Sequence, residues 1–202
     1  MRPPLPRLHA ITDERIAHRA DLDEVARALA GAGRANLALH ARGRALSGLE
    51  HYDLAFQLSH LPSPLFLNDR LDIALALHAT GVQLGKASLP VNAARRLDAA
   101  WWIGRSVHDF AEADAAKAEG ADYLLVGPVY PTATHPDRPP LGLDTLAQIA
   151  TLGLPVIAIG GIGPGRGREV KAAGAYGAAA IRALWDVADS GEVARRMLEE
   201  LQ

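Results

Sequence analysis

The feature that most constrains this chain is an alternation kept up along its whole length. Short β-branched or aliphatic runs are separated by segments of helical period, and no Ser/Gly-rich linker interrupts them. This alternation predicts parallel βα units. Eight runs read as strands: Leu8–Ile11, Asn36–His40, Leu65–Leu67, Gly81–Leu84, Trp101–Gly104, Tyr123–Val126, Val156–Ile159 and Ala178–Ile181. Leu124-Leu125-Val126 and Val156-Ile157-Ala158-Ile159 are apolar on both faces. A strand with a packed interior on one side and helices on the other has this pattern, whereas a half-exposed antiparallel strand alternates. An open nucleotide-binding sheet would place Gly-x-Gly-x-x-Gly after its first strand, but the residues there are Ala10-Ile11-Thr12-Asp13. The fold expected is therefore α/β, a single (β/α)8 TIM barrel forming one domain over residues 1–202, although such barrels usually take about 250 residues.

Between the strands, Leu22, Val25, Ala26 and Leu29 share one helical stripe, as do Val193, Met197 and Leu201. Asp21 with Glu24, Asp109 with Glu112, and Asp189 with Glu192 fit helix starts in which the Asp caps. The longest stretch without periodicity, Pro128 to Leu141, carries five prolines and follows the sixth strand, where a stiffened loop of that length in a compact barrel is usually functional.

Charge narrows the range of partners. A formal net charge of −2 with mixed signs leaves no basic stripe for nucleic acid, so none is expected as a partner. With zero cysteines, disulfides, thiolate catalysis and zinc–sulfur sites are excluded. No apolar run approaches the ~20 residues that cross a bilayer, and the amino end lacks a long apolar run, so the expectation is a cytoplasmic protein with no membrane role. A homodimer is the default assembly.

In barrels of this kind function collects at the carboxyl ends of the strands, and phosphate commonly binds after the seventh and eighth. After the seventh run comes Gly160-Gly161-Ile162-Gly163-Pro164, whose glycines let backbone N–H groups approach an anion. The eighth ends at Ile181-Arg182-Ala183, setting a guanidinium beside that nest. The other strand ends supply Thr12, His40, Arg42, Arg44, Asn68, Asp69, Gln83, Lys86, Ser106 and His108. Arg42 and Arg44 have the same parity, so both can face a carboxylate or a second phosphate. Of the histidines, His18, His51, His60 and His78 read as scaffold or surface and His9 as a core candidate. His40, His108 and His135 stand where a proton-moving imidazole would face a ligand. No metal site is expected, because nothing acidic follows the fourth strand at Gly85-Lys86-Ala87-Ser88.

Several strings carry a family resemblance: Asn68-Asp69-Arg70-Leu71-Asp72-Ile73-Ala74, Gly104-Arg105-Ser106-Val107-His108, Gly120-Ala121-Asp122-Tyr123, Val126-Gly127-Pro128-Val129-Tyr130-Pro131-Thr132, Pro140-Leu141-Gly142-Leu143 and Ala158-Ile159-Gly160-Gly161-Ile162. In order along nearly the whole chain, they resemble the thiamine phosphate synthase/TenI superfamily, which implies the barrel independently. The synthase branch joins a pyrimidine diphosphate to a thiazole phosphate with Mg²⁺. The TenI branch aromatises a carboxythiazole phosphate tautomer without metal.

Against the synthase pattern, Gln-x-Arg-Glu-Lys after the second strand reads His40-Ala41-Arg42-Gly43-Arg44, and Gly-Gln-Glu-Asp, whose Asp binds Mg²⁺, reads Gly85-Lys86-Ala87-Ser88. The lysine of the loop after the sixth strand is His135. Leu8-His9-Ala10-Ile11-Thr12-Asp13 and Ile103-Gly104-Arg105-Ser106-Val107-His108 look like TenI, but Pro128 stands where that branch has its proton-transferring His. The expectation is a TenI-like isomerase without cofactor. In it a small phosphorylated thiazole is held by Gly160, Gly161, Ile181, Arg182, Arg42, Arg44, Lys86, Asn68, Asp69 and Ser106, and His40, His108 or His135 moves the proton. The alternatives are the synthase, which would bring Mg²⁺, or a barrel that binds thiazole or thiamine phosphate without catalysis.

Overall fold

The structure, a computed structural model, describes residues 2–132 and 139–202. Eight strands close into one parallel barrel in chain order: β1 Leu8–Ile11, β2 Leu37–Ala41, β3 Leu65–Asn68, β4 Gly81–Leu84, β5 Trp102–Val107, β6 Tyr123–Val126, β7 Val156–Ile159 and β8 Gly177–Ala180. The last pairs back onto β1, Leu8 against Ala178. Around them lie α1 Glu14–Ala17, α2 Leu22–Gly33, α3 Gly48–Ser59, α4 Leu71–Ala76, α5 Val91–Leu97, α6 Phe110–Ala118, α7 Gly142–Ala150, α8 Gly167–Ala172, α9 Arg182–Trp185 and α10 Ser190–Glu200. The (β/α)8 expectation holds. The chain fits it into 202 residues by shortening the layer of helices, with α1, α4 and α8 only 4, 6 and 6 residues long. Among the described residues, no helix is long and apolar enough to cross a membrane.

Strand boundaries move in four strands, β3 by running on to Asn68. Asn36 belongs to a 3₁₀ turn, Arg34–Asn36, ahead of β2. Trp101 precedes β5, which runs on to Val107 and so carries Ser106 within the strand. Ile181 caps α9 rather than ending β8. Of the expected caps, the carboxylates of Asp109 and Asp189 accept from the N–H groups of Glu112 and Glu192, each at 2.8 Å. Asp21 makes no such bond, because its carboxylate is taken by the Arg19 guanidinium at 2.6 and 2.8 Å. A full capping box at Ser47 and Glu50 starts α3.

Two cores follow from two-sided strands. One, between barrel and helices, includes Leu37, Leu39, Leu67, Val82, Leu124, Val126, Val156 and Ala158, together with Leu22, Ala26 and Leu29 of α2 and Met197 of α10. The other is the barrel interior: Leu5, Ile11, Ala38, Phe66, Tyr123, Leu125, Ile157 and Ala179. An eight-strand interior has room for side chains and little else, so bulk on one strand needs its absence on the next. Phe66 faces Gly81 across the β3–β4 pair, where a Cβ would lie 2.5 Å from its ring. Tyr123 faces Gly104 across β5–β6, where a Cβ would collide with the phenol.

The amino-terminal segment closes the barrel end away from the strand carboxyl termini. Leu5 enters the interior cluster, and its carbonyl accepts from the Tyr176 hydroxyl at 2.7 Å. Arg2 lies 3.7 Å over the Trp102 ring and bonds Asp122 at 2.9 Å. Asp122 also takes Arg95 at 2.6 Å and the Ile103 N–H at 2.8 Å. Since overpacking a full core costs about 1–3 kcal/mol, Gly104→Ala is expected to lower the unfolding free energy by that amount in urea titration. An unchanged midpoint would mean the interior is looser than this packing implies.

Candidate active site at the carboxyl end of the barrel

The strand carboxyl ends surround a cavity of about 720 Å³, within the usual range for small-molecule sites. Its apolar floor is Ile11, Leu125, Ile159 and Ala179, inward-facing positions near the ends of their strands. Because strand order is chain order, β3 and β7 lie diametrically opposite. The two sides of the rim differ in chemistry.

On the β7–β8 side, Gly160 and Gly161 adopt φ of 99° and 66°, which only glycine takes up without strain. A Cβ on Gly160 would lie 2.6 Å from the Pro128 Cα, and one on Gly161 2.7 Å from the Pro131 carbonyl. Both glycine carbonyls are occupied, one by the β6 loop and one by their own loop. Gly160 O accepts from the Tyr130 N–H at 3.1 Å, and Gly161 O from Arg166 Nη1. Arg166 also covers the Tyr130 ring at 4.2 Å, while the Tyr130 hydroxyl donates to Glu169 at 2.6 Å. Burial and that carboxylate push the Tyr130 phenol up to about 12, so it remains a donor. Among the described residues, the N–H groups of Gly161, Ile162, Gly163 and Arg182 have no partner. With Ile181 and the exposed Arg182 they line the cavity as an anion nest.

The β2–β4 side is built from side-chain cations. The buried Thr12 hydroxyl accepts the Arg42 N–H and lies 2.9 Å from the carbonyls of His40 and Arg42, fixing the exit of β2. Arg42, Arg44 and Lys86 line the cavity and make no ion pair among the described residues. Burial, and then repulsion from Arg44, pull the Arg42 guanidinium below its ordinary value, as expected of a cation held without its anion. Between the two sides stand Ser106, whose hydroxyl accepts from the Gln83 amide at 3.0 Å, and His108. His108 Nδ1 donates to Glu112 Oε2 at 2.9 Å, and the ring lines the cavity. Glu112, legible in the sequence as a helix-start residue, thus also holds His108. Its spacing of four from His108 was the available sign.

Two expected site residues do not face the cavity. His40 is fully buried one layer below it, its ring stacked on Phe66 with centroids 5.0 Å apart, so burial removes it from direct proton transfer. The carboxylate of Asp69 is turned away, its Oδ1 accepting from the Gly85 N–H at 2.9 Å and from the Ser88 hydroxyl. His135 lies outside the described residues.

His40 belongs to a polar chain inside the barrel. The Pro6 carbonyl can only accept, so His9 Nε2, 3.0 Å away, carries the hydrogen. His9 Nδ1 then accepts from His40 Nε2 at 2.8 Å, which leaves His40 Nδ1 a bare lone pair against the Asn68 amide, with Oδ1 placed at 3.0 Å. Two acceptors cannot bond each other. The donor sequence therefore requires the Asn68 NH₂ toward His40 and its carbonyl toward the cavity.

A closed (β/α)8 barrel whose cavity mouth carries backbone amides on one side and side-chain cations on the other is the class that fold and site define. The thiamine monophosphate synthase family model matches residues 8–184, and the chain belongs to that family. The thiamine-phosphate synthase of Pyrococcus furiosus is 36% identical over 96% of both chains. The ThiM/ThiE bifunctional thiamine biosynthesis protein of Symbiobacterium thermophilum is 48% identical over 68% of this chain, which spans only 29% of that longer protein. A solved thiamine phosphate pyrophosphorylase from Pyrococcus furiosus superposes with TM-score 0.82 at 33% identity, covering 96% of this chain and 95% of that one. These relatives overturn the expectation of a TenI-like isomerase. The Pyrococcus furiosus relative is named a synthase, which is a transferase, whereas the TenI expectation rests on two short strings and on local departures from the synthase pattern.

The buried histidine pair sets a pH dependence. Burial drives His9 well below 6.5 and His40 to about 4, so the unfolded chain binds protons first as the pH falls. Stability is therefore complete above the unfolded value and is lost between about pH 6.5 and 4. By pH 5 the His40 share amounts to on the order of 2 kcal/mol. Urea titrations at neutral pH and at pH 5 are expected to show that loss, and His40→Gln to reduce it. A loss of the same size in the variant would assign the acid sensitivity elsewhere.

Proposed function

We propose that this chain is a thiamine-phosphate synthase, a transferase that joins a phosphorylated thiazole to a pyrimidine carrying a methylene diphosphate. The observation that supports it best is the division of the rim into two anion sites facing each other over an apolar floor. A thiazole phosphate without a carboxylate needs one such site. Two phosphorylated rings brought together for coupling need both, and proximity of this kind supplies much of a bimolecular rate enhancement.

In this reading the amides around Gly161 and Gly163, with Arg182, hold the thiazole phosphate. Arg42, Arg44 and Lys86 hold the diphosphate, and the floor of Ile11, Leu125 and Ile159 takes the rings. The thiazole nitrogen donates its lone pair to the methylene carbon as the carbon–oxygen bond to the diphosphate breaks. The bonding pair departs on pyrophosphate, whose growing charge the cations stabilise. The product is a thiazolium, and no proton leaves the reacting atoms. His108 and Ser106 accordingly serve as hydrogen-bonding and positioning groups. The Asn68 carbonyl is an acceptor for a donor on the pyrimidine ring.

Purified protein is expected to form thiamine phosphate and pyrophosphate from the two substrates in equal amounts, followed by chromatography and phosphate release. Arg42→Ala, which removes a charged contact worth roughly 1.5–3 kcal/mol, is expected to lower kcat/KM for the diphosphate substrate by about 10–100-fold. Absence of thiamine phosphate under all conditions would remove the synthase reading.

A further inference from the structure

The synthase resemblance implies Mg²⁺, and the donor set tests that implication. A hard divalent cation needs oxygen ligands, usually one or two carboxylates besides substrate phosphate and water. The β3–β4 exits offer Asp69, whose Oδ1 is already shared by the Gly85 N–H and the Ser88 hydroxyl. Asp69 does not line the cavity. The turn that holds it presents Lys86 to the cavity and has a hydroxyl at Ser88, so the charge it adds there is positive. Among the described residues, no group of three or more His, Cys, Asp or Glu is placed to hold a metal ion. The residues present do not fit Mg²⁺ here.

We propose that the β2–β4 rim is a diphosphate clamp that works without a metal ion, in which Arg42, Arg44 and Lys86 neutralise the leaving group directly. A diphosphate ester carries roughly three negative charges at neutral pH. Three cations without ion-pair partners among the described residues, one half-buried and two exposed on the rim, match that number. The two guanidiniums offer forked N–H pairs to phosphate oxygens, and Lys86 adds a compact charge from the facing loop. Among the described residues, the other charged side chains lining the cavity besides His108 are Arg182, across the ring at the anion nest, and Glu112, which is bonded to His108. Neither competes for the clamp. Behind the lining, Glu14, Asp69 and Asp13 attract Arg42 without pairing with it. The identity of the diphosphate rests on the synthase reading, but the clamp itself is a statement about anion binding.

The test is calorimetric titration of the full chain with inorganic pyrophosphate, once in EDTA and once with saturating Mg²⁺. The expected result is affinity in EDTA within about threefold of that with Mg²⁺, a difference well under 1.4 kcal/mol, and a loss of about tenfold or more in EDTA for Lys86→Gln. Lys86 is exposed, so its removal leaves the fold intact. Pyrophosphate affinity that falls tenfold or more when Mg²⁺ is withdrawn, or that is indifferent to Lys86→Gln, would overturn the clamp. Parallel assays for thiamine phosphate separate the two ideas. Metal-free pyrophosphate binding without product would leave the clamp standing and remove the synthase, whereas product formation with strictly Mg²⁺-dependent binding would do the reverse.

Discussion

Everything in this molecule depends on filling the inside of a closed ring of eight strands. Closure satisfies every strand's backbone and leaves no edge, but it fixes an interior volume that side chains have to occupy without voids. The solution is a set of unequal neighbours. Phe66 and Tyr123 supply the bulk, and Gly81 and Gly104 give way to them on the adjoining strands. Two imidazoles are enclosed in the same space, and they are tolerable there because each finds a partner: Pro6 for His9, His9 and Asn68 for His40. Packing and polar satisfaction are therefore one problem. Its solution fixes how Asn68 stands at the base of the cavity.

Above that layer the constraint changes from volume to charge. After β7 the Gly160 carbonyl meets the β6 loop, the Gly161 carbonyl meets Arg166 and the amides face the cavity, while β2 and β4 are followed by long cations that make no ion pair among the described residues. Each arrangement is costly in an empty site: Arg42 is partly desolvated beside a like charge. An anionic ligand relieves that cost, which gives binding an electrostatic driving force built into the folded state.

Much of this was legible in the sequence. Runs such as Leu124-Leu125-Val126 announced themselves because both faces of each strand are buried, and the glycines at 160 and 161 because few other residues would suit an anion nest. Gly177-Ala178-Ala179-Ala180 was harder to bound, since small residues chosen for the crowded interior carry little strand propensity. Period-two reasoning gave the side on which His40 lies but not its depth, so a core residue passed for a site residue. It served well at Arg42 and Arg44, which do face the same cavity. Asp69 misled for a different reason. Residue type suggested a ligand, but its φ of 64° and the turn at Gly85–Ser88 turn the carboxylate aside. Two short likenesses to the TenI branch and the local departures from the synthase pattern at 40–44, 85–88 and 135 point one way, and similarity over the whole chain points the other.

The seal at the amino-terminal end has a consequence for how such a chain can change over generations. Arg2, Leu5, Trp102, Asp122 and Tyr176 tie the base of the barrel together, on the side opposite the cavity. Lys86 and Ser88 sit in a turn that contributes nothing to either hydrophobic core. Exchanging a carboxylate for a hydroxyl there, or a neutral side chain for a lysine, alters the electrostatics of the mouth without touching what keeps the ring closed. Lineages built on this frame are free to explore how they neutralise an anion while inheriting the same foundation.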